Sequence, residues 1–149
     1  MYARVLLFLL LAAAPALVQG CSLKSGAVLQ AGEEKVSVEE KWGIRVEGLR
    51  LTAEGYMCDF RFRVVDAAKA APLLNRKNSA SLLSEATGLM TYVPATPKVG
   101  PLRQTVKLGA PVEGKTYFIF FANPGRLIKA GTNATVSIGD FVMPGLVVQ

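Results

Sequence analysis

A run of alternating side chains between Tyr56 and Val64 constrains the fold of this chain more than any other feature of its sequence. Successive residues of an extended strand point to opposite faces, so this alternation predicts a β-strand that is buried on one face and solvated on the other. The apolar set that we expect to face the core is Tyr56, Cys58, Phe60, Phe62 and Val64. Such a strand needs a second layer to cover its apolar face.

The segment just before this strand alternates in the same way, but its parity changes once. The apolar residues are Trp42, Ile44 and Val46 before the change, and Leu49 and Leu51 after it. A one-residue bulge at Gly48 would keep both sets facing the core. With a turn at residues 53–55 between them, the two segments are predicted to form an antiparallel hairpin.

Shorter strand-like segments recur through the rest of the chain between turn residues. They cover residues 82–85, 89–93, 102–108, 115–122 and 135–138. In residues 115–122 five apolar side chains follow one another, which predicts a strand buried on both faces. Asp66 is positioned to cap a short helix near residues 66–71, which Pro72 is expected to close. The predicted fold class is all-β: an antiparallel β-sandwich, broadly immunoglobulin-like.

The sequence contains no histidine, and this excludes several function classes. Histidine is the commonest general base near neutral pH and the commonest metal ligand. A Ser-His-Asp triad, a Cys-His pair and a histidine-ligated metal centre therefore cannot form within the chain. The net charge is +6, but the basic residues are dispersed among acidic ones, which is typical of a solvated surface rather than of a nucleic-acid site. We predict no catalytic residues, no metal site and no cofactor.

The N-terminus has the features of an export signal. Arg4 gives it a positive charge, an apolar run follows over residues 5–14, and small residues lead to Gly20. The run is shorter than the roughly 20 residues that a membrane-spanning helix needs. We therefore predict a signal helix over residues 1–20.

The residues around the predicted cleavage point, Leu17-Val18-Gln19-Gly20-Cys21, resemble the cleavage box of bacterial lipoprotein precursors. The resemblance implies that Cys21 carries a thioether-linked diacylglycerol and an acylated amine, and several acyl chains suffice for stable anchoring. Ser22 replaces the Asp that typically keeps such proteins in the inner membrane, which favours the outer membrane, facing the periplasm, if the source has two membranes. Cleavage after Gly20 or Ala16 without lipidation is the alternative, and it would give a secreted or soluble periplasmic protein.

These boundaries divide the chain into three parts. Residues 1–20 are the signal peptide, residues 21–40 are a lipidated tether that merges into a first strand near Val36 and Val38, and residues 41–149 are a single β-sandwich domain. Cys58 would then be the only thiol, and two interpretations stay open for it. It is either a small buried hydrophobe or, in an unlipidated protein, the disulfide partner of Cys21.

The polar face of the predicted strand between Tyr56 and Val64 gives one candidate binding site. Asp59, Arg61 and Arg63 share this face, which is either a solvated sheet surface or, through Arg61 and Arg63, a patch for an anionic ligand. The leading hypothesis is a non-catalytic, lipid-anchored envelope protein whose domain binds a protein or a cell-wall component. A periplasmic module for small ligands or metals is the alternative, followed by a hydrolase whose site has no local signature. The sequence leaves the oligomeric state open.

Overall fold

The computed structural model describes residues 38–106 and 109–149, and this part of the chain is built mainly of antiparallel strands. The strands are β1 (Ile44–Thr52), β2 (Met57–Val64), β3 (Ala80–Ser84), β4 (Met90–Tyr92), β5 (Ala95–Thr96), β6 (Gly100–Pro101), β7 (Thr116–Ala122), β8 (Asn133–Ile138) and β9 (Phe141–Val147). The helical elements are α1, which is described over residues 38–42, α2 (Ala67–Ala70) and 3-10 turns at Ala53–Gly55, Ala71–Leu74 and Pro124–Arg126. The predicted all-β class is confirmed.

The longer strands form two sheets with an immunoglobulin-like connectivity. One sheet has the order β1-β2-β7 and the other β4-β3-β8-β9, while β5 and β6 form a separate small ribbon. Immunoglobulin-like sandwiches place their first, second and fifth strands (A, B and E) in one sheet and strands C, F and G in the other. The described residues lack the strand D that such sandwiches add beside strand E, and they contain the small ribbon and the extra edge strand β4. Apart from these differences the chain has this arrangement, so the predicted sandwich is confirmed.

The hairpin of β1 and β2 follows the predicted register. Ile44 lies opposite Val64, and the pairing shifts between Val46 and Gly48, where the bulge was expected. Gly48 has a φ of 149°, in a region that residues with a Cβ rarely occupy. The bulge therefore returns Leu49 to the buried face, where it is completely buried.

Side chains from both sheets meet in one hydrophobic core. The first sheet contributes Phe60, Phe62, Ile119 and Phe121, and the second contributes Leu82, Val136, Ile138 and Phe141. All of these side chains are at most 2% exposed. Each stabilises the fold by about 1.5–3 kcal/mol relative to an exposed position, which makes core burial the main source of stability.

The prediction for Tyr56 was wrong. This residue precedes β2, its side chain is 51% exposed, and its ring packs under the guanidinium of Arg126 at 4.9 Å instead of entering the core. The backbone turns at Ala53–Gly55 and carries Tyr56 away from the pleat, so the alternation of side chains begins only with the strand. The four later members of the set, from Cys58 to Val64, are buried as predicted.

The start of the domain also differs from the expectation. Val38 was expected to lie at the beginning of a first strand and Trp42 within the hairpin, but both belong to α1. The N–H of Gly43 donates to the carbonyl of Glu39 at 2.9 Å, the spacing of a helical turn. Trp42 still reaches the core edge, because its ring meets Phe141 edge-on at 5.5 Å. β1 begins only after this turn, at Ile44.

Two predictions near β7 need correction. The segment 102–108 was expected to be a strand, but Arg103 forms a single bridge with Ile119 and residues 104–106 have no regular structure, while residues 107 and 108 lie outside the described part. On β7 itself, the inward side chains are buried, but Phe118 and Phe120 on the other face are only half-buried. Their rings lie 4.9 Å apart and partly shield each other. The strand is therefore fully buried on one face only.

The helical segment after β2 was predicted correctly at its start and wrongly at its end. Asp66 accepts hydrogen bonds from the N–H groups of Ala68 and Lys69, at 2.9 and 3.1 Å, as an N-cap does. Pro72 was expected to close the segment, but the chain continues as a 3-10 turn over Ala71–Leu74. Proline is tolerated in the first turn of a helix because it has no N–H to leave unpaired.

Residues 148 and 149 close one edge of the first sheet. Val148 forms a parallel bridge with Leu49, the N–H of Gln149 donates to the Leu49 carbonyl at 2.9 Å, and the Leu51 N–H donates to the Gln149 carbonyl at 2.8 Å. These bonds pair backbone groups of β1 that would otherwise lie at an open sheet edge.

The predicted signal helix and the lipidation residue Cys21 lie outside the described residues. Among residues 38–106 and 109–149, no helix is long and apolar enough to cross a bilayer.

Candidate functional site: a cationic groove

Arg61 and Arg63, the predicted anion-binding residues, lie exposed on the outer face of the first sheet, and both are already paired with carboxylates. Arg61 Nε lies 2.7 Å from Oδ2 of Asp59, and Arg63 Nε lies 3.1 Å from Oε1 of Glu47. Glu47 also accepts a hydrogen bond from the Thr116 hydroxyl at 2.9 Å. Burial opposes ionisation of Glu47, but the hydrogen bonds from Thr116 and Arg63 outweigh it and lower the pKa of this carboxyl. Arg61 and Arg63 therefore offer an incoming anion little uncompensated charge.

Asp59 is nearly buried, unlike the side chains expected on a solvated sheet surface. It lies between Arg50 of β1 and Phe120 of β7 in the sheet register, and it is only 6% exposed. Its Oδ1 is buried without a hydrogen-bond partner in the described residues. Asp59 is therefore part of the packed sheet surface, held by one ion pair.

A second cluster of cations lines a groove of about 740 Å³ beside the segment that leads from β6 to β7. Its basic residues are Arg76, Arg103 and Lys115, and its apolar residues include Val99, Pro101, Val106 and Val112. A neighbouring depression of about 460 Å³ shares Arg76 and Val106 and adds Lys77. Among the residues that the structure describes, no carboxylate lines either depression.

Arg103 is fixed in the groove wall by two backbone carbonyls. Its Nη1 donates to the carbonyl of Asn78 at 2.7 Å, and its Nη2 donates to that of Leu73, in the 3-10 turn, at 2.8 Å. The third nitrogen, Nε, is buried without a partner among the described residues. Burial lowers the pKa of Arg103, but a guanidinium keeps its charge in proteins. Arg103 is thus a rigidly held cation with one unused N–H.

Tyr117 provides a polar atom at the edge of the core. Its side chain is 4% exposed, and its ring stacks on Phe62 with centroids 6.2 Å apart. Its hydroxyl oxygen accepts the N–H of Val112 at 3.0 Å. Lys115 Nζ lies 5.2 Å from the centre of the same ring, within the range of a cation–π interaction. The start of β7 therefore positions Tyr117, and Lys115 just before it, at the groove.

Gln104 contributes a side-chain amide with one end already used. Its Oε1 accepts the N–H of Phe118 at 3.1 Å, and its own backbone N–H donates to the Phe118 carbonyl at the same distance. These bonds attach the groove wall to the outer edge of β7. The amide nitrogen is left as the free end of the side chain.

The carboxylates closest in sequence to the groove cations form hydrogen bonds elsewhere in the fold. Glu113 accepts the N–H of Ala67 at the start of α2, and Asp66 caps the same helix. Glu85 accepts bonds from the Thr135 hydroxyl and the Gly145 N–H. The groove cations therefore have no ion pair within the described residues.

Sequence reasoning missed this groove, although a signal for it was present. After Asp66 the chain has nine Lys or Arg residues and only three carboxylates, Glu85, Glu113 and Asp140. The basic residues were interpreted as dispersed because they were counted along the whole chain. Their excess belongs to the part of the chain that follows Asp66.

Cys58 belongs to the hydrophobic core. Within the described residues Cys58 is a free, completely buried thiol, which fits the interpretation of a small core hydrophobe, and burial raises its pKa to about 11. Cys21, its partner in the alternative interpretation, lies outside these residues. The described ranges contain no group of three or more Cys, Asp or Glu residues placed to hold a metal ion.

Comparisons of the chain with protein-family models, with curated proteins and with solved structures found no match in any of the three.

Proposed function

We propose that this chain is a lipid-anchored protein of the bacterial cell envelope, and that its β-sandwich binds an envelope component through the cationic groove without catalysing a reaction. The groove carries the proposal, because it is a concave site whose basic side chains have no carboxylate partners within residues 38–106 and 109–149. Its volume lies within the range of about 300–1,000 Å³ that is usual for ligand pockets.

The construction of the groove supports binding. Two carbonyls fix Arg103, and Lys115 lies over a buried ring, so these cations are held in place before a ligand arrives. Side chains that are already ordered lose less conformational entropy on binding. The groove is therefore better prepared to hold a ligand than the outer sheet face, where Arg61 and Arg63 already have carboxylate partners.

The anchor is supported by the sequence. The export signal and the box that ends in Cys21 would put a lipid attachment point about 20 residues before the start of β1. A tether of this length would leave the sandwich free to meet ligands near the membrane surface. Ser22 supports the outer membrane as the location in an organism with two membranes.

Labelling with radioactive palmitate in bacterial cells tests the anchor. We expect label in the wild type and in the control Cys58→Ala, which retains Cys21, and no label in Cys21→Ser. Equal labelling of wild type and Cys21→Ser would contradict lipidation, as would a mature N-terminus at Leu17. Separation of the two membranes by density then tests the location.

Gentle extraction with a nonionic detergent, followed by identification of what copurifies, tests the binding role. We expect an envelope component with the wild type and its loss from Arg76→Gln/Lys115→Gln. The matched control is Arg50→Gln/Lys129→Gln, which removes two exposed positive charges that do not line the groove. Equal recovery with both double variants would contradict binding in the groove, and turnover of hydrolase substrates would contradict a non-catalytic role.

A further inference from the structure

We infer that the ligand of the cationic groove is an organic anion that presents a carboxylate or phosphate group to Arg76, Arg103 and Lys115. This inference rests on the proposed binding function and specifies its ligand class. It depends on two independent properties of the lining, which are its positive charge and its unused hydrogen-bond donors.

The charge of the lining excludes a cationic ligand. Three basic residues face the groove, Lys77 extends the set into the neighbouring depression, and the described lining contains no carboxylate. Arg76 and Lys115 are exposed and have no ion pair in the described part of the chain. Like charges that converge without counter-charges repel each other, and an anion between them would remove that repulsion.

The lining carries unused hydrogen-bond donors. Nε of Arg103 is a buried N–H without a partner, whereas Oε1 of Gln104 and the hydroxyl oxygen of Tyr117 already accept backbone N–H groups. Each of these oxygens keeps a second lone pair, while the NH₂ group of Gln104 and the O–H of Tyr117 have no acceptor among the described residues and can donate. A ligand that satisfies this set must accept hydrogen bonds.

Carboxylate and phosphate groups match both properties, because their oxygens accept hydrogen bonds and carry negative charge. Hydrogen bonds between such oxygens and a guanidinium or ammonium are stronger than neutral ones. The apolar residues Val99, Val106 and Val112 give the rest of the molecule a surface to pack against. The groove is also larger than a single phosphate needs, so the ligand is an organic anion rather than a free inorganic ion.

The direct test is a titration of the full-length protein, purified in a nonionic detergent and labelled for NMR. The probes are phenyl phosphate and benzoate, with benzyl alcohol as the neutral control and inorganic phosphate as the anion without an apolar part. We expect the two organic anions to shift the backbone amide signals of Gln104, Val106 and Val112 and to bind more tightly than inorganic phosphate. Benzyl alcohol should cause no saturable shift.

The variants connect the shifts to the named side chains. In Arg76→Gln/Lys115→Gln, whose positions are exposed and not needed for the core, we expect binding to weaken by about tenfold or more, since hydrogen bonds to charged groups are the stronger class. Arg50→Gln/Lys129→Gln loses the same net charge and should bind like the wild type. Raising the salt concentration should weaken binding of the wild type, because salt screens exposed charges.

Dihexanoyl phosphatidylglycerol, added as a competitor, distinguishes two sources of the phosphate. Displacement of phenyl phosphate would assign the ligand to a lipid headgroup, and no displacement would assign it to a soluble or cell-wall anion. Equal binding of benzyl alcohol and benzoate, or equal affinities in the two double variants, would overturn the anion assignment. These binding results do not depend on palmitate labelling, so failure of the anchor and failure of the ligand class can be told apart.

Discussion

Asp59 Oδ2 and Arg61 Nε, two residues apart on the same face of β2, form a 2.7 Å ion pair in which the carboxylate is almost completely buried and the guanidinium is about half exposed. The other carboxylate oxygen, Oδ1, has no hydrogen-bond partner in the described residues. Arg61 is therefore the cation that compensates a buried charge on the outer face of the sheet.

Arg61→Ala should for this reason cost more than an ordinary exposed substitution. We expect the free energy of unfolding to fall by about 1–3 kcal/mol, because the buried carboxylate loses its partner. Lys129→Ala, another exposed cation, should cost less than about 0.5 kcal/mol. In an Asp59→Asn background, Arg61→Ala should become nearly neutral. Urea unfolding of the four proteins of this double-mutant cycle measures the coupling, and an equal cost of Arg61→Ala in both backgrounds would refute it.

Gly43→Ala should destabilise the junction between α1 and β1. Gly43 has a φ of +61°, and a Cβ there would lie 2.6 Å from the carbonyl oxygen of Asp66 and 2.8 Å from Cβ of Lys69. Left-handed strain costs about 1–2 kcal/mol, and overpacking adds about 1–3 kcal/mol.

Gly131→Ala is the matched control for this prediction. Gly131 has a φ of +79°, but nothing lies within 4 Å of its added Cβ, so this variant should show the strain without the overpacking. Thermal or urea unfolding of both variants tests the difference. Equal losses of stability would show that the close approach of Gly43 to α2 does not affect the free energy of unfolding.

Asn123→Ala should be among the most damaging polar substitutions. Asn123 is completely buried, and its Nδ2 donates to the carbonyls of Gly55 and Ile128 while its Oδ1 accepts the Ile128 N–H, all at 2.8–2.9 Å. Truncation would leave buried backbone groups unpaired, with an expected loss of about 2–4 kcal/mol. Asn123→Asp should be damaging as well, since a carboxylate cannot donate to the two carbonyls. The exposed Asn133→Ala provides the control, and a comparable loss there would contradict the assignment.

Cys58 should make the stability of the fold fall at high pH. Burial raises the pKa of its thiol from 9.0 to about 11, so between these values the thiol ionises in the unfolded chain but stays protonated in the folded one. The unfolded state then binds fewer protons, and the free energy of unfolding decreases as pH rises, with a slope of up to about 1.4 kcal/mol per pH unit. Below pH 9 this group contributes no pH dependence.

Unfolding measured from pH 8 to pH 11 in wild type and Cys58→Ala isolates this contribution. The variant loses a buried thiol and is less stable at neutral pH, but its stability should fall less steeply above pH 9. Identical slopes would contradict the raised pKa. A thiol reagent at pH 8 should likewise modify the unfolded protein quickly and the folded protein slowly, because the thiolate is the reactive form.

The parts of the fold that could be predicted from the sequence are those marked by a local pattern of neighbouring residues. The alternation from Cys58 to Val64, the change of parity at Gly48 and the cap at Asp66 are local signals, and each corresponds to the observed structure. The pattern failed at Tyr56 because alternation does not show where a strand begins. It also failed at Trp42, whose ring reaches the core edge from a helix.

The cationic groove could not be located from local patterns. Arg76 follows a 3-10 turn, Arg103 bridges to the edge of β7, and Lys115 immediately precedes β7, so the three side chains converge only through the fold. Arg61 and Arg63, which a single strand brings together, were easier to find. Their pairing with Asp59 and Glu47 depends on the geometry of the sheet surface and on the bulge in β1. The order of charged residues in the sequence does not show which of them will pair.

The pairing of residues 148 and 149 with β1 affects the order in which the fold can form. Leu49 and Gln149 are 100 residues apart in the sequence, so the edge of β1 stays open while the chain between them is synthesised. Contacts of such high sequence separation form late and slow folding. During this time the Leu51 N–H and the Leu49 carbonyl remain available to another strand, and this is when an unfinished copy of the chain is most exposed to pairing with a neighbour.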